Sequence, residues 1–150
     1  MASKKAAWQI SKDLGRGAFG RALLVKRKVD GFTAVMKEIS LQGMSRAEQK
    51  ASHSEANILK KLAKHPNIVG FVESFLEPKT NKLYIVMEWA RAGDLDSVIK
   101  NAKKARHPLP EARVMSIFVQ CVAALDFATS GAPGSHLGEG RGDARAEAVS

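Results

Sequence analysis

Short apolar runs predict that most of the first 90 residues form strands. Asp30-Gly31 lies between two such runs and is a strong signal for a tight hairpin turn, and the polar segment 77–82 separates two others. One predicted strand follows the N-terminus, and the others lie at Leu23–Val25, Phe32–Met36, Val69–Phe75 and Leu83–Glu88. Their order and short connections predict a five-stranded antiparallel sheet.

A helical pattern separates the third and fourth predicted strands. Ser45-Arg46-Ala47-Glu48 has the spacing of a capping box, in which the serine and the glutamate each bind a backbone N–H of the first turn. Apolar residues then recur on one helical face: Ala47, Ala51, Ile58, Leu59 and Leu62. At about 100° per residue, Glu55 falls within this apolar arc. A carboxylate on a buried face requires a cation, so we expect a basic partner for Glu55.

A second long helix is predicted to begin at Leu109-Pro110-Glu111 and to continue to Leu125. Its apolar residues project over most of the circumference, which is typical of a helix that is covered on nearly every side. We therefore expect Cys121, which lies within this pattern, to be a buried thiol. From Ala128 onward apolar periodicity is absent and glycine is frequent, which predicts a disordered tail.

The chemistry of the chain is concentrated in a glycine-rich segment near its N-terminus. Gly15, Gly17 and Gly20 have a spacing that allows backbone N–H groups to approach phosphate oxygens closely. Lys37, on a later predicted strand, supplies a point charge to the same anion. We therefore expect a triphosphate to bind here, and the segment has the sequence Leu14, Gly15, Arg16, Gly17, Ala18, Phe19, Gly20.

The same glycine spacing also opens dinucleotide-binding units, in which the glycines lead from a strand directly into a helix. Here Gly20 is followed by strand-forming residues and a hairpin turn, so no helix N-terminus is expected for a pyrophosphate. The order of strand, glycine loop, strand, turn and strand favours a glycine-rich flap folded over a nucleotide.

These features together resemble the small lobe of a protein kinase. Gly15, Gly17 and Gly20 match the loop glycines, and Lys37 in Ala34-Val35-Met36-Lys37 matches the lysine of the third strand. Ala22 stands where most kinases carry valine, and in this it is similar to the NIMA-related serine/threonine kinases. The resemblance covers roughly residues 8 to 127 and implies ATP and a protein substrate as partners.

The resemblance also implies that an acidic residue of the first helix holds the kinase lysine toward the phosphates. Glu55 is the expected partner of Lys37, and Glu48 is the rival, although the capping box already accounts for Glu48. A solvated Glu55 at the margin of the apolar stripe is the remaining alternative. The turn that begins at His65-Pro66-Asn67 resembles the kinase turn after this helix and favours the ion pair.

The segment from Leu83 to Ala90 resembles the kinase hinge. By this resemblance Met87 is the gatekeeper, the backbone of Glu88 and Ala90 binds the adenine edge, and Asp94 binds the ribose. An adenine slot requires apolar walls, and Ala22, Val35 and Met87 suit that role. Without the motif, Met87 would be interpreted as ordinary strand core.

Composition narrows the possible partners. The formal charge of +9 comes from dispersed lysines and arginines without alternating aromatics, so we do not favour nucleic-acid binding. We expect no membrane span, and with one cysteine no intramolecular disulfide. His53-x-Glu55 matches half of a zinc deaminase motif, but the paired cysteines that motif requires are absent, so we expect no bound metal. We expect a cytoplasmic protein, and the family resemblance suggests a link to the cytoskeleton or cilium.

The predicted fold class is α+β: a kinase-like small lobe and hinge start at 1–90, the first helices of a truncated large lobe at 91–127, and a tail at 128–150. The 150 residues lack the His-Arg-Asp and Asp-Phe-Gly motifs, so we identify no catalytic residue and no ligand for the Mg²⁺ that a complete kinase would use. The chain is interpreted as the ATP-binding portion of a serine/threonine protein kinase. The alternatives are a non-catalytic nucleotide-binding or regulatory fragment and a non-functional product.

Overall fold

A computed structural model describes residues 4–17 and 20–130. A short 3-10 turn, Lys4–Ala7, precedes five strands and three helices. The strands are β1 Trp8–Gly17, β2 Gly20–Arg27, β3 Thr33–Ser40, β4 Phe71–Glu77 and β5 Lys82–Glu88. The helices are α1 Arg46–Leu62, α2 Leu95–Ala105 and α3 Glu111–Thr129. The chain forms two compact units, the first ending at Trp89 and the second beginning at Ala90.

The strands form one five-stranded sheet in the order β1-β2-β3-β5-β4, and every neighbouring pair is antiparallel. The prediction of a five-stranded antiparallel sheet followed by helices is therefore confirmed. Because successive side chains of a strand point to opposite faces, the sheet has two separate apolar clusters. The first contains Trp8, Leu23, Val25, Ala34, Met36, Phe75, Tyr84 and Val86. The second contains Ile39, Leu41, Leu83 and Ile85 together with Ala56 of α1.

Helix α1 begins at the predicted capping box, which is confirmed. The Ser45 hydroxyl accepts a hydrogen bond from the Glu48 N–H, and the Glu48 carboxylate accepts one from the Ser45 N–H at 2.7 Å. The predicted position of the apolar face on this helix was wrong. Ala56 is the buried residue of the helix and Leu59 packs beside it, whereas Ile58 is exposed. Because Ala56 is small, it allows α1 to lie close to the sheet.

A network of charged and polar side chains includes Tyr84, a member of the first cluster. Glu38 accepts hydrogen bonds from the ammonium of Lys82 at 2.9 Å and from the hydroxyl of Tyr84 at 3.0 Å. Lys5 of the 3-10 turn donates to the same hydroxyl at 2.9 Å. Burial alone would raise the pKa of Glu38, but the hydrogen bonds from Lys82 and Tyr84 and the nearby positive charges outweigh it and lower that pKa. The network thus stabilises an ionised Glu38.

The second unit contains α2 and α3. Asp94 caps the N-terminus of α2, and Arg106 ends that helix in the left-handed conformation, with φ of 55°. Helix α3 exposes a series of large apolar side chains: Val114, Met115, Phe118, Val119, Val122 and Leu125. Cys121 is also exposed, so the prediction of a buried thiol was wrong. The all-round apolar pattern was correctly recognised, but the described residues do not provide the cover that it requires.

Helix α3 bears on the expectation of no membrane span. Among the described residues it is the one helix long and apolar enough to cross a bilayer by length and composition, although core helices of soluble proteins pass the same test. Because core helices pass the same test, α3 does not decide the expectation of no membrane span, which stays a prediction. Helix α3 continues to Thr129 and so includes the first two residues of the predicted tail, whereas residues 131–150 lie outside the described part of the chain.

The Glu38 network predicts a pH-dependent stability. Because the pKa of Glu38 is lower in the folded state than its ordinary value, its contribution is present above that ordinary value and is lost as the pH falls through the folded pKa. Glu38→Gln should therefore lower the free energy of unfolding at pH 7 by about 1 to 3 kcal/mol and flatten its decline in acid. Urea titrations between pH 2 and pH 7 measure this, and an equally steep acid decline in the variant would contradict it.

The exposed apolar face of α3 predicts self-association of the 150-residue chain. A large side chain gains about 1.5 to 3 kcal/mol on complete burial, and α3 exposes several of them. Light scattering should therefore show oligomers for residues 1–150 and a smaller species for residues 1–108, which lack α3. A monodisperse monomer with a cooperative thermal transition for the full chain would contradict this prediction.

Candidate functional site

The glycine-rich segment includes the end of β1 and the start of β2. Gly17 of β1 pairs with Gly20 of β2, and Gly20 leads into a strand rather than a helix. The dinucleotide alternative requires a helix at this point, so the structure does not support it. Ala18 and Phe19, which complete the predicted site segment, lie outside the described residues.

The glycines of this segment are required for different reasons. Gly15 and Gly20 have φ of 133° and 129°, a region that side chains disfavour. A Cβ on Gly20 would also collide with the backbone oxygen of Glu38 on β3, whereas one on Gly17 would meet open space. Gly20 therefore permits close strand packing, and the space beside Gly17 is left open to a ligand.

Lys37 and Glu55 are brought together from β3 and α1. The Lys37 ammonium lies 2.5 Å from a carboxylate oxygen of Glu55 and donates a hydrogen bond to it. The Lys37 side chain is 24% exposed and that of Glu55 is 47% exposed. Glu55 thus lies at the margin of the contact between α1 and the sheet. The sequence had placed it on the buried face of the helix. Glu48, the rival partner, is engaged at the cap of α1.

The predicted apolar walls lie on the same face of the sheet as Lys37. Ala22 of β2 is directly opposite Lys37, and Val35 of β3 is directly opposite Met87 of β5. Residues directly opposite each other on antiparallel strands share a face, and Val35 and Lys37 are two residues apart on one strand. All three walls are half-buried. The structure therefore places an apolar surface beside the Lys37 ammonium.

Leu24 is a further member of this surface that the sequence motifs did not indicate. It pairs with Val35, and it is half-buried like its neighbours. Its position two residues after Ala22 on the same strand is the signal that could have identified it. The other described loop residues, Leu14 and Arg16, belong to β1 and are exposed.

The residues predicted to form the hinge make backbone and capping hydrogen bonds. The Glu88 N–H donates to the Gly70 carbonyl at 2.8 Å, and the Glu88 carboxylate accepts from the Gly70 N–H at 3.2 Å. Asp94 accepts a hydrogen bond from the Ser97 N–H at 2.6 Å, and hydrogen bonds from Ser97 hold the pKa of Asp94 below its ordinary value. The sequence did not identify this capping role. Ala90 and Asp94 belong to the second unit.

No group of three or more histidine, cysteine, aspartate or glutamate side chains is placed to hold a metal ion within residues 4–17 and 20–130. What the described site offers is a lysine ammonium, an apolar surface and open space beside Gly17. These groups suit an anionic ligand with a flat apolar part, and they do not themselves supply a nucleophile or a metal centre.

Comparison with known proteins identifies the class. The family model for the protein kinase domain matches residues 8–130, and this chain belongs to that family. Within the family it is similar to NIMA-related kinases, which confirms the resemblance inferred from the sequence. It is 36% identical to the serine/threonine-protein kinase Nek2 of Homo sapiens over 136 residues, which cover 91% of this chain and 30% of the relative.

Two further relatives give the same assignment. The probable serine/threonine-protein kinase nek3 of Dictyostelium discoideum is 40% identical over 79% of this chain and 10% of its own length. The G2-specific protein kinase nim-1 of Neurospora crassa is 39% identical over 82% of this chain and 14% of its own length. The chain therefore spans less than a third of the length of these relatives.

The contrast between two glycines of the loop gives a stability prediction. Gly20→Ala should lower the free energy of unfolding by about 1 to 3 kcal/mol, because it combines an unfavourable φ with a collision against β3. Gly17→Ala is the control, since it meets no neighbour and has no positive φ. Chemical denaturation of both variants measures the difference, and equal losses would show that the approach of β3 does not determine the requirement at Gly20.

Proposed function

We propose that the first unit binds ATP between its glycine-rich turn and the face of the sheet that carries Lys37. The observation that supports this most strongly is the Lys37–Glu55 pair beside the apolar surface of Ala22, Val35 and Met87. An adenine ring requires apolar walls, and a polyphosphate requires a fixed cation and free N–H donors. The proposed site provides the walls and the cation at neighbouring positions.

In this proposal Lys37 neutralises the α- and β-phosphates, and Glu55 directs the ammonium toward them. The backbone at Gly15, Gly17 and Gly20 approaches the phosphates because glycines leave space for a ligand. Since the N–H of Glu88 is already donated to Gly70, its contribution to adenine comes through its carbonyl oxygen. Ala90, as a second backbone partner of adenine, and Asp94, as a ribose partner, remain predictions from the family resemblance.

For the whole protein we propose transfer of the ATP γ-phosphate to serine or threonine of a protein substrate. Kinase chemistry depends on an aspartate near the substrate hydroxyl and on side chains that hold Mg²⁺. The sequence contains neither of the motifs that carry these groups, and the described residues offer no carboxylate cluster for the metal. We therefore assign nucleotide binding, and no catalytic step, to these 150 residues. A non-catalytic nucleotide-binding role would require the same nucleotide site.

The proposal predicts how the pair contributes to nucleotide affinity. Lys37→Met keeps the methylene stem but removes the charge, so ATP binding should weaken by about 1.5 to 3 kcal/mol while the fold is retained. Glu55→Gln should act in the same direction, and the double variant should lose less than the sum because both changes remove one interaction. Isothermal calorimetry with ATP and the full 150-residue chain measures these affinities.

A control variant separates this effect from general loss of positive charge. Lys50→Met removes an exposed lysine from α1, so it should leave ATP affinity unchanged. Unchanged affinity in Lys37→Met would contradict the proposed site. Strict additivity of Lys37→Met and Glu55→Gln would instead show that Glu55 does not act through Lys37.

A further inference from the structure

A charged bridge links β2 to the backbone of the glycine-rich turn. The Arg21 guanidinium contacts one carboxylate oxygen of Asp13 through both Nε and Nη2, each at 2.7 Å. The other Asp13 oxygen accepts a hydrogen bond from the Gly15 N–H at 3.0 Å. One carboxylate therefore connects a side chain of β2 to the first glycine of the loop.

The bridge lies where the strand ladder is irregular. The pairing of β1 with β2 shifts between Asp13 and Gly15, and Gly15 has φ of 133°. A register shift redirects a strand and leaves a residue outside the regular ladder. Leu14 is the residue outside the ladder, and pairing resumes with Gly15 opposite Ala22. A Cβ on Gly15 would meet no neighbour, so side-chain packing does not fix the orientation of this peptide. The Asp13 carboxylate supplies a local hydrogen bond that does.

We propose that Asp13 and Arg21 are positioning residues that fix the Gly15 peptide and thereby set the approach of the glycine-rich turn to ATP phosphate. The inference rests on the proposed ATP site, but its first step concerns the backbone of the chain without ligand. Arg21 orients the carboxylate, and the carboxylate orients the Gly15 N–H. Neither side chain needs to touch the nucleotide.

The electrostatics of the bridge support this role. The hydrogen bond from Arg21, followed by that from the Gly15 N–H, lowers the pKa of Asp13. The carboxylate therefore stays ionised at neutral pH and accepts hydrogen bonds on both oxygens. Both partners are substantially exposed, at 40% for Arg21 and 48% for Asp13, so the pair contributes little to global stability and acts mainly on local geometry.

The chain contains a second bridge of the same kind at the far end of β2. Arg27 Nε lies 3.0 Å from Oδ1 of Asp30, and Arg27 Nη2 lies 2.6 Å from Oδ2. Asp30 also accepts a hydrogen bond from the N–H two residues later, that of Phe32, at 3.0 Å. This bridge holds the β2–β3 turn rather than the glycine turn, so it is a matched control.

The experiment compares Asp13→Ala with Asp30→Ala in the full chain. Asp13→Ala should accelerate amide hydrogen exchange at Gly15 and weaken ATP binding, each by about two- to fivefold, the effect expected for an exposed ion pair. Asp30→Ala should accelerate exchange at Phe32 and leave ATP affinity unchanged. Exchange is measured by NMR without ligand, and affinity by calorimetry with ATP.

Exchanging the charges tests whether the Gly15 bond or the ion pair matters. Asp13→Arg combined with Arg21→Asp restores an ion pair across β1 and β2 but removes the acceptor for the Gly15 N–H. We expect ATP binding to remain weak in this double variant. Recovery of the original affinity would overturn the role assigned to the Gly15 hydrogen bond.

The remaining outcomes are distinct. Unchanged amide exchange at Gly15 in Asp13→Ala would overturn the proposal that Asp13 fixes the Gly15 peptide. Faster exchange at Gly15 with unchanged ATP affinity in Asp13→Ala would overturn the link between the Gly15 peptide and nucleotide binding. An equal loss of ATP affinity in Asp30→Ala would overturn the same link. Failure of the unsubstituted chain to bind ATP would contradict the proposed function and this link together. The exchange data would still show whether Asp13 fixes the Gly15 peptide.

Discussion

Strand β3 must satisfy opposite requirements on its two faces, and the rest of the first unit is organised around it. Ala34 and Met36 point into a cluster where both are fully buried. On the other face the same strand carries Val35, Lys37 and Ile39. Because the Lys37 side chain is only 24% exposed there, a carboxylate on the helix that packs against this face offsets part of the cost of removing its ammonium from water. Helix α1 supplies it through Glu55, and Ala56 beside it permits the close approach.

The partial exposure of this ion pair indicates what it contributes. Pairs with substantial solvent contact add little to stability, because water screens the attraction and ordering the side chains costs entropy. With Glu55 about half exposed, the Lys37–Glu55 pair is a weak support for the fold. Its effect is instead to hold an ammonium at one point beside the apolar surface of Ala22, Val35 and Met87. The stability of the sheet comes from its two apolar clusters.

Local rules were sufficient for the elements, and they failed where distant residues meet. The capping box at Ser45 and the hairpin at Asp30-Gly31 depend on neighbouring residues, so the sequence identified both. The contacts of Glu38 with Lys82 and Tyr84 join residues more than 40 positions apart, and no spacing rule indicates them. Exposure of Ile58 and Cys121 depends on which surfaces face each helix, and apolar periodicity does not contain that information.

The candidate site shows the same division within a single motif. Its glycine spacing is compatible with both a dinucleotide site and a kinase loop, and the structure that follows Gly20 distinguishes them. Because β2 begins there, no helix N-terminus is available, and phosphate binding would depend on the N–H groups of the turn and on Lys37. Gly20 is required by the approach of β3, and Gly15 has a backbone conformation that side chains disfavour. Gly17 is under neither constraint, so its lack of a side chain is the feature of the motif best explained by access for a ligand.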